Sequence, residues 1–320
     1  MVTLLDVIIR VLVGAAVLGF LAGSAMFLIW LERKVSAHIQ NRYGPMRVGW
    51  HGVLQPIADA VKLLLKENII PREADKLVWW LAPFFAVVPA VMAFACVPFG
   101  RHMIVKDLNV GILYITAITS ICILSVFMAG WGSNNKYAML SAMRSAAQII
   151  SYEIPLTIAV VTVLMFANTL SMQGIVAMQA HRWFIFYPNL AIAFLIYMIS
   201  ATAEVNRTPF DISEAESELV AGFHTEYSGM KFAMFFIGEY TNVFIVSAIA
   251  TTLFLGGWQG PLLPSPVWFL AKTYAIVFVL MWVRWTFPRV RIDQLMGFAW
   301  KVLTPIALAN LALAGLFLLI

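Results

Sequence analysis

Apolar residues run for about twenty positions at a time along this chain, and polar residues collect in the gaps. A helix needs roughly 20 residues to cross a hydrocarbon core of about 30 Å. Eight runs are read as spans on that basis: 4–31, 77–97, 110–131, 149–167, 189–203, 231–256, 267–284 and 299–320. The first is long enough to tilt, and the fifth is short. The first also exceeds the roughly 7–15-residue core of a signal peptide and runs into Glu32, Arg33 and Lys34 without an evident cleavage site, which predicts a retained helix. Between the first two spans the period changes. Leu54, Ile57, Val61, Leu64 and Leu65 fall on one helical stripe, with Gln55, Asp59, Lys62 and Lys66 opposite. That pattern suits a helix lying along a membrane or docking surface, or one that merely caps the bundle. Pro56 fits its first turn and Pro71 follows its end. The fold class expected is an all-α integral membrane protein: eight transmembrane helices, a cytoplasmic amphipathic helix and structured cytoplasmic loops. It forms one transmembrane domain over 1–320, with a cytoplasmic loop at 32–76 and an acidic one at 204–231.

Composition strengthens the membrane reading. Hydrophobic residues are 62% of the chain and charged residues 12%, where soluble domains are about half apolar and a quarter charged. The formal charge of +5 does not point to nucleic acid, because the basic residues sort by loop instead of forming one solvated patch. Sixteen of the 21 Lys and Arg lie in the odd-numbered loops, and the even loops hold only Arg101, Lys106 and Arg182. Basic loops stay on the cytoplasmic side. Both termini are therefore expected outside and the acidic segment inside. Cys96 and Cys122 lie in apolar runs without a Cys-x-x-Cys spacing, so this chain alone cannot assemble a thiolate cluster site.

The charge in the least expected place is negative. Seven of the sixteen carboxylates, Glu204, Asp211, Glu214, Glu216, Glu218, Glu226 and Glu239, lie in one stretch. A charged carboxylate at mid-bilayer costs roughly 2.5–3.5 kcal/mol even on the lenient scale. Thr208-Pro209 and Ser213 both have the form of a helix start, so Asp211, Glu214 and Glu216 have an alternative role as first-turn acids beside the helix dipole. That alternative does not reach Glu153 or Glu239, which sit several residues inside apolar spans. Chains of such acids are what proton relays use. His224 is open to two readings, a member of the path or a packing residue.

Six motifs in order, NRYGP (41–45), LQPIADAVK (54–62), AEVNRTPFD (203–211), EAESELVAGFHTEY (214–227), GGW (256–258) and PRVRIDQLM (288–296), resemble the family of the H membrane subunit of bacterial respiratory complex I, equivalent to mitochondrial subunit 1. Met46, where Asn is expected after Gly-Pro, is a local departure. The resemblance implies a core membrane subunit of a proton-translocating NADH:quinone oxidoreductase. It would stand between the hydrophilic arm and the antiporter-like membrane arm, shaping the quinone chamber and coupling quinone reduction to proton translocation. By the same resemblance, Glu32, Arg33, Arg42, Arg47 and Asp59 line the quinone tunnel, supported by Arg284, Arg289, Arg291 and Asp293. Glu153, Glu204, Asp211, Glu214, Glu216, Glu218, Glu226 and Glu239 form the proton path. No metal site and no complete catalytic site is expected on this chain. Quinone would be the substrate at the subunit interface, while NADH, FMN and iron–sulfur clusters would belong to partner subunits. The implied location is the bacterial plasma membrane in preference to the mitochondrial inner membrane. Two rival readings are a stand-alone secondary transporter using buried carboxylates and the membrane anchor of a related membrane-bound hydrogenase.

Overall fold

Backbone that crosses lipid must close its hydrogen bonds internally, and the helix does so within one segment. The computed structural model, which describes residues 4–101, 103–212 and 219–319, forms a helix at every predicted span. In chain order these are α1 (Leu4–Ile39), α2 (Gln55–Leu65), α3 (Lys76–Ala93), α4 (Gly111–Ser120), α5 (Cys122–Gly132), α6 (Lys136–Ala167), α7 (Met172–Met178), α8 (Pro188–Glu204), α9 (Gly229–Phe254), α10 (Ser265–Thr286), α11 (Ile292–Phe298) and α12 (Thr304–Leu319). Pairs α4–α5 and α11–α12 each make one span, the second passing through a π-turn at Ala299–Leu303.

Among the described residues seven segments are long and apolar enough to cross a membrane, against the eight expected. The fifth run forms α8, whose 17 residues extend about 25 Å, short of a full hydrocarbon core. Other helices outrun their apolar stretches. α6 begins at Lys136, where the Asn135 side chain accepts the Tyr137 N–H and caps it, and α1 continues through Glu32, Arg33 and Lys34 to Ile39. Hydropathy ends where charge begins, whereas a helix ends where its backbone is capped.

The odd-numbered loops gather at one end. Gly132 O accepts the Asp75 N–H at 3.0 Å, Pro209 O accepts the Val290 N–H at 3.1 Å, and the Ser228 hydroxyl ties Ile69 and Glu67 to the start of α9. Gly229 makes that last junction possible, with φ +57° and room for only a hydrogen beside Lys66 O. α9 is the central helix, buried along most of its length, and Phe244 on it stacks on Phe94 with ring centroids 5.6 Å apart.

The apolar stripe of α2 is exposed, while Asp59 on its polar side reaches Arg33 of α1 at 2.6 Å. The stripe is thus not spent on the bundle. No helix starts at Thr208-Pro209 either, since 208–210 form a turn and bend and 211–212 are irregular. Asp211 is accordingly not a first-turn acid of such a helix. Ser213, Glu214, Glu216 and Glu218 lie outside the described residues.

Candidate proton and quinone site

α8 ends in a way that fixes two charged groups at once. Asn206 takes the left-handed conformation at φ +53°, its N–H donates to Ala203 O, and the Arg207 N–H donates to Thr202 O. This pair of bonds is a Schellman cap, and Asn is the usual substitute for glycine there. The fully buried Gln148 of α6 holds the cap in place: its Nε2 lies 2.8 Å from Ala203 O, 2.7 Å from Phe210 O and 3.1 Å from Asn206 Oδ1. Glu204 is left on the last turn and Arg207 is turned toward α1 and α9.

Arg207 joins charges from three elements. Its Nε lies 2.9 Å from Glu239 Oε1, and its NH1 lies 3.3 Å from Glu32 Oε2, with the guanidinium 4.4 Å from the Tyr240 ring centroid. Glu32 also pairs with Arg284 of α10. Two acids and two guanidinia balance in charge, and Arg207 and Glu32 are both buried, with side chains only 6% and 7% exposed. Burying such a set is tolerable only because every charge has an opposite neighbour.

On the far side of Glu239 the chain opens into a cavity of about 70 Å³, whose walls include Glu204, Glu239, Asn242, Cys122 and His224. A second, of about 30 Å³, shares Glu204, Cys122, Asn242 and Ile149 with the first and continues to Thr119. Both exceed the roughly 10–15 Å³ that a single water needs, and their walls carry polar groups, so both can be hydrated. Beyond them Glu153 of α6 bonds the Ser120 hydroxyl at the end of α4 and lies within electrostatic reach of Glu204. A polar, hydratable route thus runs from Glu32 through Arg207, Glu239 and Glu204 to Glu153.

His224 is buried in the wall of the larger cavity, edge-on to Phe223, Phe232 and Phe236. Burial pushes its pKa down to about 4, so its ring is neutral near pH 7. Beside it, burial raises the Tyr227 pKa. The Tyr227 ring stacks on Trp79 with centroids 4.9 Å apart, and Lys231 lies 3.7 Å from the same indole.

The sequence that builds this arrangement follows a known pattern. A family model described as NADH dehydrogenase matches residues 12–315. The chain belongs to that family. It is 53% identical over 316 residues to the H subunit of NADH-quinone oxidoreductase from Dehalococcoides mccartyi, covering 98% of this chain and 89% of the relative. An H subunit from Geobacter sulfurreducens is 52% identical over 300 residues, 91% of each chain. That of Carboxydothermus hydrogenoformans is 49% identical over 314, with 97% of this chain and 89% of the relative covered. These relatives give no support to a stand-alone transporter.

Among the residues expected from membership of this NADH dehydrogenase family, the structure brings some together and leaves others apart. Glu32, Arg284, Glu239, Glu204 and Glu153 fall on the one route, so the two groups expected separately at the tunnel and along the proton path meet at Arg207. Arg33 and Asp59 pair with each other at 2.6 Å nearer the surface, and Asp211 pairs with Arg289 at 3.3 Å. Glu226 does not line the cavities; it accepts from Asn135 Nδ2 at 2.7 Å, steadying the α6 cap. Arg42, Arg47, Arg291 and Asp293 are exposed. Arg207, Gln148, Asn206 and Asn242 join the site without having been expected there. Their signal in the sequence is a polar residue inside, or directly after, an apolar run.

Proposed function

We propose that this chain is a core membrane subunit of a proton-translocating NADH:quinone oxidoreductase, in which it helps to form the quinone chamber and couples quinone reduction to proton translocation. The observation that carries the coupling is Arg207, a single guanidinium shared by Glu32 and Glu239. Glu32 belongs, in this reading, to the quinone side and Glu239 to the hydrated route. Quinone reduction draws protons and changes charge in the chamber. A change near Glu32 and Arg284 alters how tightly Glu32 holds Arg207, and the opposite change falls on Glu239, favouring gain or loss of its proton. Glu204 and Glu153 then extend the relay toward antiporter-like partner subunits.

Glu214, Glu216 and Glu218 are assigned in this proposal to the loop facing the chamber. Arg33, Arg42, Arg47, Asp59, Arg289, Arg291 and Asp293 are assigned to its charged surroundings. The hydrophilic-arm partners would carry FMN, the iron–sulfur clusters and the NADH site. The basic loops support a bacterial plasma-membrane orientation with both termini outside.

The test is Glu239→Gln, with Glu216→Gln beside it, in the intact complex. Coupled quinone reduction is expected to fall while assembly persists. Normal quinone reduction with a normal proton gradient in both variants would overturn the coupling role.

A further inference from the structure

A groove of about 510 Å³ lies between the last turns of α1 and the face of α10, walled by Lys34, Val35, His38, Ile39, Phe278 and Trp282. It is separate from the acidic route. Each wall is an i, i+4 pair, so each presents one side: Lys34 with His38, Val35 with Ile39, Phe278 with Trp282. Phe278 and Trp282 are 48% and 54% exposed, and Val279 beside them 43%, so the groove opens onto an apolar face of a membrane-crossing helix.

The polar edge is cationic and poorly compensated. No carboxylate is among the lining residues. Lys34 Nζ lies 3.0 Å from Met46 Sδ; thioether sulfur is a weak acceptor and the ammonium has further protons to donate. His38 Nδ1 lies 2.8 Å from Lys34 O. A carbonyl only accepts, so Nδ1 carries the hydrogen, and Nε2 becomes a donor to an anion only when the ring takes a second proton. Two basic groups one helical turn apart, at the end of a span and above an apolar floor with an interfacial tryptophan, match a molecule with an anionic head and hydrocarbon tails.

We propose that this groove binds an anionic phospholipid, its phosphate held by Lys34 and by His38 in its imidazolium form, and its acyl chain laid along Val35, Ile39, Phe278 and Trp282. A quinone fits the apolar floor but has no anionic group for the basic pair. An acidic peptide fits the pair but not walls that belong to membrane-crossing helices.

The assembled complex, reconstituted in phosphatidylcholine vesicles, is labelled with photoactivatable phosphatidylglycerol or photoactivatable phosphatidylcholine at equal mole fraction, and adducts are mapped by peptide mass spectrometry. Phosphatidylglycerol is expected to label residues 34–39 and 278–282 at least about fivefold more than phosphatidylcholine, the share of one engaged lysine. Lys34→Gln is expected to remove about fivefold of that excess, and His38→Gln provides a second variant. Equal labelling by the two lipids, no adduct at either segment, or displacement of the adduct by added short-chain ubiquinone would each overturn the proposal. Should neither variant assemble, the comparison of lipids on the unaltered complex still decides.

Discussion

Arg207 Nε lies 2.9 Å from the Glu239 carboxylate, in a setting where each group would be costly alone. The same guanidinium serves Glu32, so replacing Arg207 by methionine strips one partner from each of two buried acids. Removing one member of a buried ionic set costs about 3–5 kcal/mol. Arg207→Met is therefore expected to lower the thermal midpoint and the yield of assembled complex sharply. Arg207→Lys keeps the charge but loses the fork that reaches two carboxylates, and should fall between. A midpoint for Arg207→Met equal to that of the unaltered complex would show that the ion set contributes nothing to the fold.

His224 sets a pH dependence of known sign. Its folded pKa of about 4 lies below the ordinary 6.5 because burial penalises the imidazolium. Between those values the unfolded segment binds more protons than the folded one, so stability rises with pH. The contribution is fully present above about pH 6.5 and is lost as pH falls toward 4, by up to roughly 3 kcal/mol. Glu204 and Glu239 share its cavity, so the slope belongs to His224 only if His224→Gln removes it. Measured as hydrogen-exchange protection relative to the intrinsic exchange rate at each pH, segment 219–229 should lose protection between pH 7.5 and 5 in the unaltered complex and much less in the variant. The same loss in both would assign the effect to other groups.

Gly238 precedes Glu239 and lets α9 approach α3. A Cβ there would stand 2.8 Å from Ala86 O, a backbone atom that cannot swing aside. Overpacking of this sort typically costs about 1–3 kcal/mol, and relief by separating the helices would carry Glu239 away from Arg207. Gly238→Ala is expected to lower both the thermal midpoint and quinone reductase activity per assembled complex. Unchanged values in both would mean that α3 and α9 tolerate more space at this crossing.

The helices were legible because their cause is local: a run of apolar residues has one way to cross lipid. α8 marks the limit, since its run already reads as short and hydropathy alone does not say whether its 17 residues cross. The acids were legible as a group from their position in apolar sequence. Their partners were not, because pairing is decided by where distant elements meet. Arg207 counts in sequence as one more inward basic residue, and only the cap at Asn206, held by Gln148 from 58 positions away, turns it between α1 and α9. Glu226 is the converse case, an acid in the right stretch that the fold uses to hold Asn135.

Lys272 is the clearest case of a charge whose role lies in the fold. It sits within α10, yet its Nζ donates to three backbone carbonyls, Leu255 O at 2.6 Å, Gly257 O at 3.1 Å and Gln259 O at 2.6 Å, and lies 4.2 Å from the Trp183 ring centroid. These carbonyls belong to the end of α9 and the turn after it, where Gly256 and Gly257 both have positive φ. A helix C-terminus carries partial negative charge and unpaired acceptors, so an ammonium there replaces the bonds the chain cannot make itself. Hydrogen bonds to a charged group contribute about 1.5–3 kcal/mol, and methionine supplies none of them. Lys272→Met should therefore loosen residues 255–263, seen as faster protease cleavage within that segment and a lower thermal midpoint. Quinone reductase activity per assembled complex should be retained, because Lys272 lies at the end opposite the Glu32–Arg207–Glu239 set. Loss of activity without faster cleavage would place Lys272 in the working machinery and remove it from the loop-holding role.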